Sequence, residues 1–281
     1  NINFENNKLE YTSFPKTQKF GRIRSPKLYE YPLITIKKNI SNSKIPIVIN
    51  EIDTAFDERI VGISFSGNDQ KEYKKLYKKL IKNQKSHILQ TISSCSQFYY
   101  RGDTAILKQD IDNWTIPLNE EEIKLSDSEI IVINDVLDFI YPSWHLGEKA
   151  EINKNEATRE DLEGFSEVFN QSFNSIYKKE NKEQKLAVIY EGSTFFALEF
   201  EFTDKQIKKP KEIDKTEADK QIQDLIVSQY GKNTLVNKVL RIYSPNKITL
   251  IKPKKLRFWL KSIALQDSDE IFDDIIENGL K

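Results

Sequence analysis

The chain contains one cysteine, Cys95, two histidines, His87 and His145, and no methionine. A single cysteine excludes an internal disulfide framework and a cysteine-rich metal site. Neither histidine has a second ligand at metal-binding spacing, so the sequence predicts no metal site. We expect Cys95 to be a buried structural thiol and both histidines to be ordinary surface or half-buried residues.

Long apolar runs are also missing. No run approaches the roughly 18 to 20 residues that span a bilayer, and the N-terminus has no hydrophobic signal core. With 38% hydrophobic and 31% charged residues, the sequence predicts a folded cytoplasmic protein without a membrane partner. The absence of Met, even at position 1, favours an excised piece of a longer protein; the alternative is that modified methionines are missing from the sequence.

Familiar catalytic motifs are scarce. Gly62 and Gly67 lack the spacing and the following Lys-Ser/Thr of a phosphate-binding loop, so no cofactor is expected in this chain. Glu199 and Glu201 would point to one face of a strand and suggest a metal-dependent nuclease. Lys205, however, lies one position outside the acid-x-Lys pattern of such sites. The solvent face of an amphipathic strand is the preferred interpretation of the two glutamates.

Charge is distributed unevenly along a chain whose net charge is zero. Lys and Arg exceed Asp and Glu by nine over residues 1–109, and acids exceed bases by twelve over residues 110–170. Residues 238–261 carry eight cations and no acid. Such segregation suits a polyanion, most simply nucleic acid, although solvated lysine-rich faces would give the same pattern.

Within residues 238–261, the spacing of Lys254, Arg257 and Lys261 predicts one basic helical face. The apolar residues Leu256, Leu260 and Ile263 would lie opposite that face. The face would be available to phosphate. Aromatic residues occur beside basic ones elsewhere, at Tyr99, Tyr100 and Arg101 and at Trp114, with core packing as the alternative for each aromatic.

The periodicity of the sequence predicts an α+β fold with short mixed or antiparallel sheets, β-hairpins and amphipathic helices. Strands are expected in "YPLITIKKNI", "IPIVINEI" and "RIVGISFSG", and a helix begins near Lys71 with an apolar stripe from Tyr73 to Ile81. We expect two domains, residues 1–145 and 146–281. The acidic block would contain one helix, followed by a break at "YPSWHLGE".

The second half is predicted to run helix, hairpin, helix, hairpin, helix. Thr158 and Asp161 form a capping box, and Leu162, Phe165, Phe169, Phe173 and Ile176 would bury one side of that helix. "KKPKEIDK" is expected to be a loop before a helix that Gly231 ends. The last helix is expected to start near Asp267, with Glu270 completing its capping box.

Two stretches resemble a known family. The first stretch contains "YEYPLITIKKN", "VGISFSG" and "FYYRGDTAILKQDIDNWTIP", and the second is the ending "LRIYSPNKITLIKPKKLRFWLKSIALQDSDEIFDDII". They resemble the region downstream of the catalytic domain in N-6 adenine DNA methyltransferases of restriction–modification systems, type II-G or type I-like. The likeness covers about half of the chain. It implies a target-recognition domain that binds double-stranded DNA beside a catalytic methyltransferase domain or subunit. The expected DNA-binding residues are Arg22, Arg24, Lys37, Lys38, Tyr100, Arg101, Lys108, Lys254, Arg257 and Lys261.

The family's Gly-rich cofactor loop and Asn/Asp-Pro-Pro-Tyr/Phe tetrapeptide are absent from this chain. The resemblance therefore implies that S-adenosylmethionine binds the parent enzyme and that catalysis lies outside this sequence. Two alternatives stay open. One is a nuclease using Glu199 or Glu201, and the other is a protein-interaction module whose acidic block, residues 110–170, docks a basic partner.

Overall fold

A computed structural model describes residues 2–3, 8–9, 30, 33–40, 44–50, 52–54, 56, 58–64, 69–94, 106–119, 121–231 and 239–280. The chain divides into two compact units, unit 1 of residues 1–137 and unit 2 of residues 138–281. Each unit combines antiparallel strand pairs with helices, which confirms the α+β fold expected from the sequence.

Unit 1 is built around a three-stranded antiparallel sheet. Strand β3 (Leu33–Lys37) lies between β4 (Ile47–Asn50) and β5 (Ile60–Ile63), and a short pair, β1 (Ile2–Asn3) and β2 (Lys8–Leu9), precedes them. Four consecutive residues of β3 are buried, as expected for a central strand covered on both faces. All three main strands lie in the stretches that the sequence predicts.

Helix α1 (Gln70–Lys82) packs on β3 and β4. The Asp69 side chain caps its start by accepting a hydrogen bond from the Lys71 amide at 2.8 Å. Tyr73 and Leu80 are buried, and the rest of the predicted apolar stripe is half-buried. Helix α2 (Gln84–Ser94) follows directly, and a short helix, α3 (Lys108–Asp112), comes after it.

His87 lies in the core of unit 1, which corrects the expectation of a surface or half-buried histidine. Its side chain is fully buried, and its ring stacks on Trp114 with 4.6 Å between centroids. The Trp114 indole donates to the Thr91 hydroxyl at 3.2 Å, so this aromatic also belongs to the core. Burial lowers the pKa of His87 to about 4.

The acidic block folds as helix α4 (Asp127–Asp135), a π-helical turn (Val136–Ile140) and helix α5 (Tyr141–Leu146). The predicted break at "YPSWHLGE" is therefore wrong at its start. The π-helical turn runs directly into α5, and Pro142 at the start of α5 does not stop the helix. A 3₁₀ turn (Gly147–Lys149) and helix α6 (Glu151–Lys154) complete this region.

Unit 2 contains a five-stranded sheet in the order β8-β6-β7-β10-β9. Its strands are β6 (Glu183–Glu191), β7 (Phe195–Thr203), β8 (Lys211–Ile213), β9 (Leu240–Ser244) and β10 (Lys247–Pro253). Both predicted hairpins are confirmed. The stretch "KKPKEIDK" is not entirely a loop, because β8 within it pairs in parallel with β6.

Helices cover both faces of this sheet. Helix α7 (Arg159–Ile176) lies on one face with Phe169 against Phe200, 4.6 Å between ring centroids, and helix α9 (Lys261–Asn278) packs beside it. Helix α8 (Lys215–Tyr230) packs on the other face through Ala218, Ile222 and Ile226, and Gly231 ends it in a left-handed conformation as expected.

Two helix starts compare differently with the sequence prediction. The Thr158 and Asp161 capping box of α7 is confirmed, although Ile176 is 48% exposed and does not join the buried side. The last helix begins at Lys261, not near Asp267. Asp267 lies inside α9 with its side chain buried, where it accepts from Lys252 and Arg241. Its carboxylate therefore balances buried cations and caps no helix.

None of the helices among the described residues combines the length and apolar character that a membrane crossing requires.

Candidate nucleic-acid interface

Four of the expected DNA-binding residues, Arg22, Arg24, Tyr100 and Arg101, lie outside the described residues, as does Cys95. The structure describes the other six. They are divided between the two units, with Lys37, Lys38 and Lys108 in unit 1 and Lys254, Arg257 and Lys261 in unit 2.

The three described candidates in unit 1 differ in how available they are. Lys37 and Lys38 are half-buried at the end of β3. Lys108 is exposed and forms an ion pair with Asp112, one helical turn away, at 2.5 Å. An exposed pair of this kind is weakly held, so Lys108 can still exchange its carboxylate for a phosphate.

The predicted basic helical face in residues 238–261 is wrong. Lys254 precedes a 3₁₀ turn (Leu256–Phe258) and Lys261 is the first residue of α9, so no single helix carries both. Lys254 is also buried, 3.1 Å from the Glu191 carboxylate and 4.8 Å from the centre of the Phe196 ring.

Lys252 is even less accessible, because its side chain is fully buried between the rings of Phe165 and Trp259. Its ammonium group is bonded to the Asp267 carboxylate and donates to the Phe258 carbonyl at 3.0 Å. Desolvation lowers the pKa of Lys252, and the negative charge of Asp267 opposes that effect. The acid-free window of the sequence thus holds four cations whose carboxylate partners come from elsewhere in the fold, namely Arg241, Lys247, Lys252 and Lys254.

Arg257 and Lys261 remain on the surface of unit 2. The Arg257 guanidinium lies 4.9 Å from the centre of the Phe258 ring, and the Lys261 stem passes over Gly164. A Cβ atom at Gly164 would be 3.0 Å from Lys261 Cε, so the glycine leaves room for that stem.

The largest aligned set of exposed cations described in unit 1 lies on α1. We call it the lysine stripe, and its members are Lys71, Lys74, Lys75, Lys78 and Lys82, all of them exposed. At 3.6 residues per turn these five residues occupy an arc of about 100°, opposite the buried side chains of the helix. At 1.5 Å per residue they span about 16 Å of the helix axis.

Carboxylates do not neutralise most of the stripe. Among the described residues, no ion pair includes Lys71, Lys74, Lys75 or Lys78. Glu72, the one acid of α1, lies about 100° from the centre of the stripe by helical geometry. The stripe therefore concentrates positive potential on one face.

Lys79 is on the flank of α1 and has another role. Its ammonium group donates to the Pro117 carbonyl at 2.8 Å and to the Leu118 carbonyl, which holds the loop after α3 against the side of the helix. The Thr115 amide donates to the Gln90 side chain at 2.8 Å and fixes the same loop to α2.

The lysine stripe is not among the DNA-binding residues expected from the sequence. The signal was present in the spacing of three and four residues between its lysines, opposite Tyr73 and Leu80. The acid-free window is the more conspicuous basic feature of the sequence, but a run of sequence shows charge without showing burial.

Glu199 and Glu201 project from the same face of β7 and meet different surroundings. Glu199 is buried, 2.7 Å from the Lys247 ammonium group, and accepts a hydrogen bond from the Tyr190 hydroxyl at 3.3 Å. Its expected position on a solvent face is therefore wrong. Burial, followed by the negative charge of Glu199, raises the pKa of Tyr190. Glu201 is half-buried.

The carboxylates of the acidic block are mostly exposed, and several serve the fold. Glu129 accepts from the Ser126 amide at 2.7 Å, and Asp161 does the same for Thr158. The hydrogen bonds from the Ser126 amide and hydroxyl lower the pKa of Glu129. Within the described residues, no three His, Cys, Asp or Glu side chains are grouped so that they could hold a metal ion.

No model of a known protein family, no curated protein and no solved structure matches this chain.

Proposed function

We propose that this chain is the DNA-binding, target-recognition part of an S-adenosylmethionine-dependent adenine-N6 DNA methyltransferase whose catalytic motifs lie outside the chain. The lysine stripe of α1 is the observation that supports DNA binding best. The motif resemblance in the sequence is the basis for the methyltransferase part of the proposal.

The physical case for DNA binding starts from the counterions of the duplex. Each phosphate that a lysine neutralises releases a condensed counterion, which favours binding and makes it depend on salt. Lys71, Lys74, Lys75 and Lys78 have no carboxylate to exchange for phosphate among the described residues, so binding through these four breaks no ion pair in that part of the chain. The residues of α1 that pack on the sheet lie on the opposite side of the helix. The helix therefore keeps its place in unit 1 while its outer face binds DNA.

The chain lacks the family's cofactor loop and catalytic tetrapeptide, so DNA binding and methyl transfer would belong to different domains. This part would hold the duplex and select the site, while a separate domain binds S-adenosylmethionine, flips the adenine and transfers the methyl group. We expect the isolated chain to bind no S-adenosylmethionine, and calorimetry with the cofactor alone tests that expectation. Binding in the micromolar range would contradict it.

Selection from a pool of random duplexes tests target recognition directly. The full chain is expected to enrich one sequence and to bind it at least about a thousandfold more tightly than unrelated duplexes. Its affinity should fall linearly on a log scale as salt is raised. A chain that binds no duplex, or binds every duplex equally, would refute target recognition.

A further inference from the structure

We infer that the lysine stripe binds the phosphate backbone and does not read base sequence, so α1 acts as a sequence-independent clamp on one strand. The inference rests on the proposed function, since it specifies which part of the duplex this face contacts. It assigns sequence reading to residues other than the stripe.

The residue types on the stripe suit phosphates better than bases. All five are lysines, whose compact ammonium groups suit phosphates as point charges. Base reading relies mostly on bidentate contacts, from Arg to guanine and from Asn or Gln to adenine. Neither Arg, Asn nor Gln occurs within the arc of the stripe.

The sheet and the loop beside α1 limit how the helix can approach the DNA. Reading bases would require the helix to enter the major groove, which is about 12 Å wide and about 8.5 Å deep. One side of α1 is packed on β3 and β4, and Lys79 holds the backbone of Pro117 and Leu118 against its flank. The loop on its flank adds to the width of a helix that is itself about 10 Å across, which disfavours deep entry into a groove about 12 Å wide. The outward lysine tips are the part of α1 best placed to reach the DNA.

The length of the stripe limits how many phosphates it can contact. Its span of about 16 Å is roughly half of the 34–36 Å turn of a DNA duplex, so a straight α1 lying along one strand contacts only a few consecutive phosphates before that strand winds away. Lys71, Lys74, Lys75 and Lys78 form no ion pair among the described residues and supply enough ammonium groups for those phosphates.

The test uses the full chain and two duplexes, the sequence enriched from the random pool and a permuted duplex of the same composition. The stripe variant combines Lys74→Gln, Lys75→Gln and Lys78→Gln. The matched control combines Lys205→Gln, Lys208→Gln and Lys220→Gln, three exposed lysines of unit 2. A third variant combines Lys74→Arg, Lys75→Arg and Lys78→Arg and keeps the charge.

The stripe variant is expected to weaken binding to both duplexes by the same factor. The slope of log affinity against log salt should become shallower by about two to three, since each lost phosphate contact removes about 0.9. The control and the arginine variant should keep the parental slope. An unchanged melting transition shows that the stripe variant is folded.

Two results would overturn the inference. A stripe variant that alters the ratio of the two affinities would show that these lysines read bases, and one that keeps the parental slope would exclude them from the interface. Failure of the proposed function is separate. If the parent chain binds both duplexes equally but the slope still changes, target recognition fails while the phosphate clamp stands; if the parent binds neither duplex, both fail.

Discussion

Acid should destabilise unit 1 through His87 before the carboxylates titrate. The side chain is fully buried against Trp114, and neither ring nitrogen has a hydrogen-bond partner within the described residues. Desolvation therefore disfavours the charged imidazolium and lowers the pKa of His87 to about 4. An unfolded chain presents the same histidine with a pKa of about 6.5.

The sign of the effect follows from proton uptake. Between pH 6.5 and about 4 the unfolded state binds a proton at His87 that the folded state does not, so stability falls as the pH falls. At about 1.4 kcal/mol per pH unit, the loss is about 2 kcal/mol by pH 5 and about 3 kcal/mol by pH 4. Above pH 6.5 both states carry neutral His87, and this contribution is constant.

Two measurements check this prediction. NMR of the imidazole protons shows only two histidines, so His87 can be followed beside the exposed His145. Urea unfolding at pH 7 and pH 5 is then compared with His87→Phe, which retains a ring against Trp114 and should lose the additional acid sensitivity. A His87 resonance that titrates near pH 6.5, or equal pH dependence in parent and variant, would refute the reasoning.

Two further predictions concern unit 2. Asp267→Asn should cost about 3 to 5 kcal/mol of unfolding free energy in urea, because it leaves Lys252 charged and buried without its partner. The double change Lys252→Met with Asp267→Leu should recover most of that loss. A cost under about 1 kcal/mol for the single change would contradict the buried pair. Thr158→Ala should cost about 1 kcal/mol of unfolding free energy by removing the cap of α7. The control is Thr216→Ala in the exposed first turn of α8, and equal shifts of the melting temperature for the two variants would count against the cap.

Local signals in the sequence were enough to predict most elements. The capping box at Thr158 and the left-handed Gly231 depend on residues a few positions apart, and both are confirmed. The buried-exposed alternation expected in β7 is wrong, because Ala197 and Glu199 are buried on the face opposite Leu198. The amphipathic period of α1 also shows which side of the helix packs on the sheet. Such features depend only on residues that are close in the sequence.

Burial of charge could not be predicted in the same way. Lys252 and Asp267 are far enough apart in sequence that no local pattern joins them, and Glu199 is covered only because Lys247 and Tyr190 come from neighbouring strands. The acid-free window therefore suggested an accessible basic face where the fold places internal ion pairs. Likewise, the helical extension to Lys261 depends on packing against α7, not on a capping residue.

The lysine stripe has a consequence for how this protein can change over generations. Its side chains are exposed, so substituting one should alter folding stability by no more than about 0.5 kcal/mol. Affinity can then be raised or lowered one charge at a time, without a compensating mutation in the core. Selection could retune the clamp to a different ionic environment while the packed side of α1, and the sheet beneath it, stayed as they are.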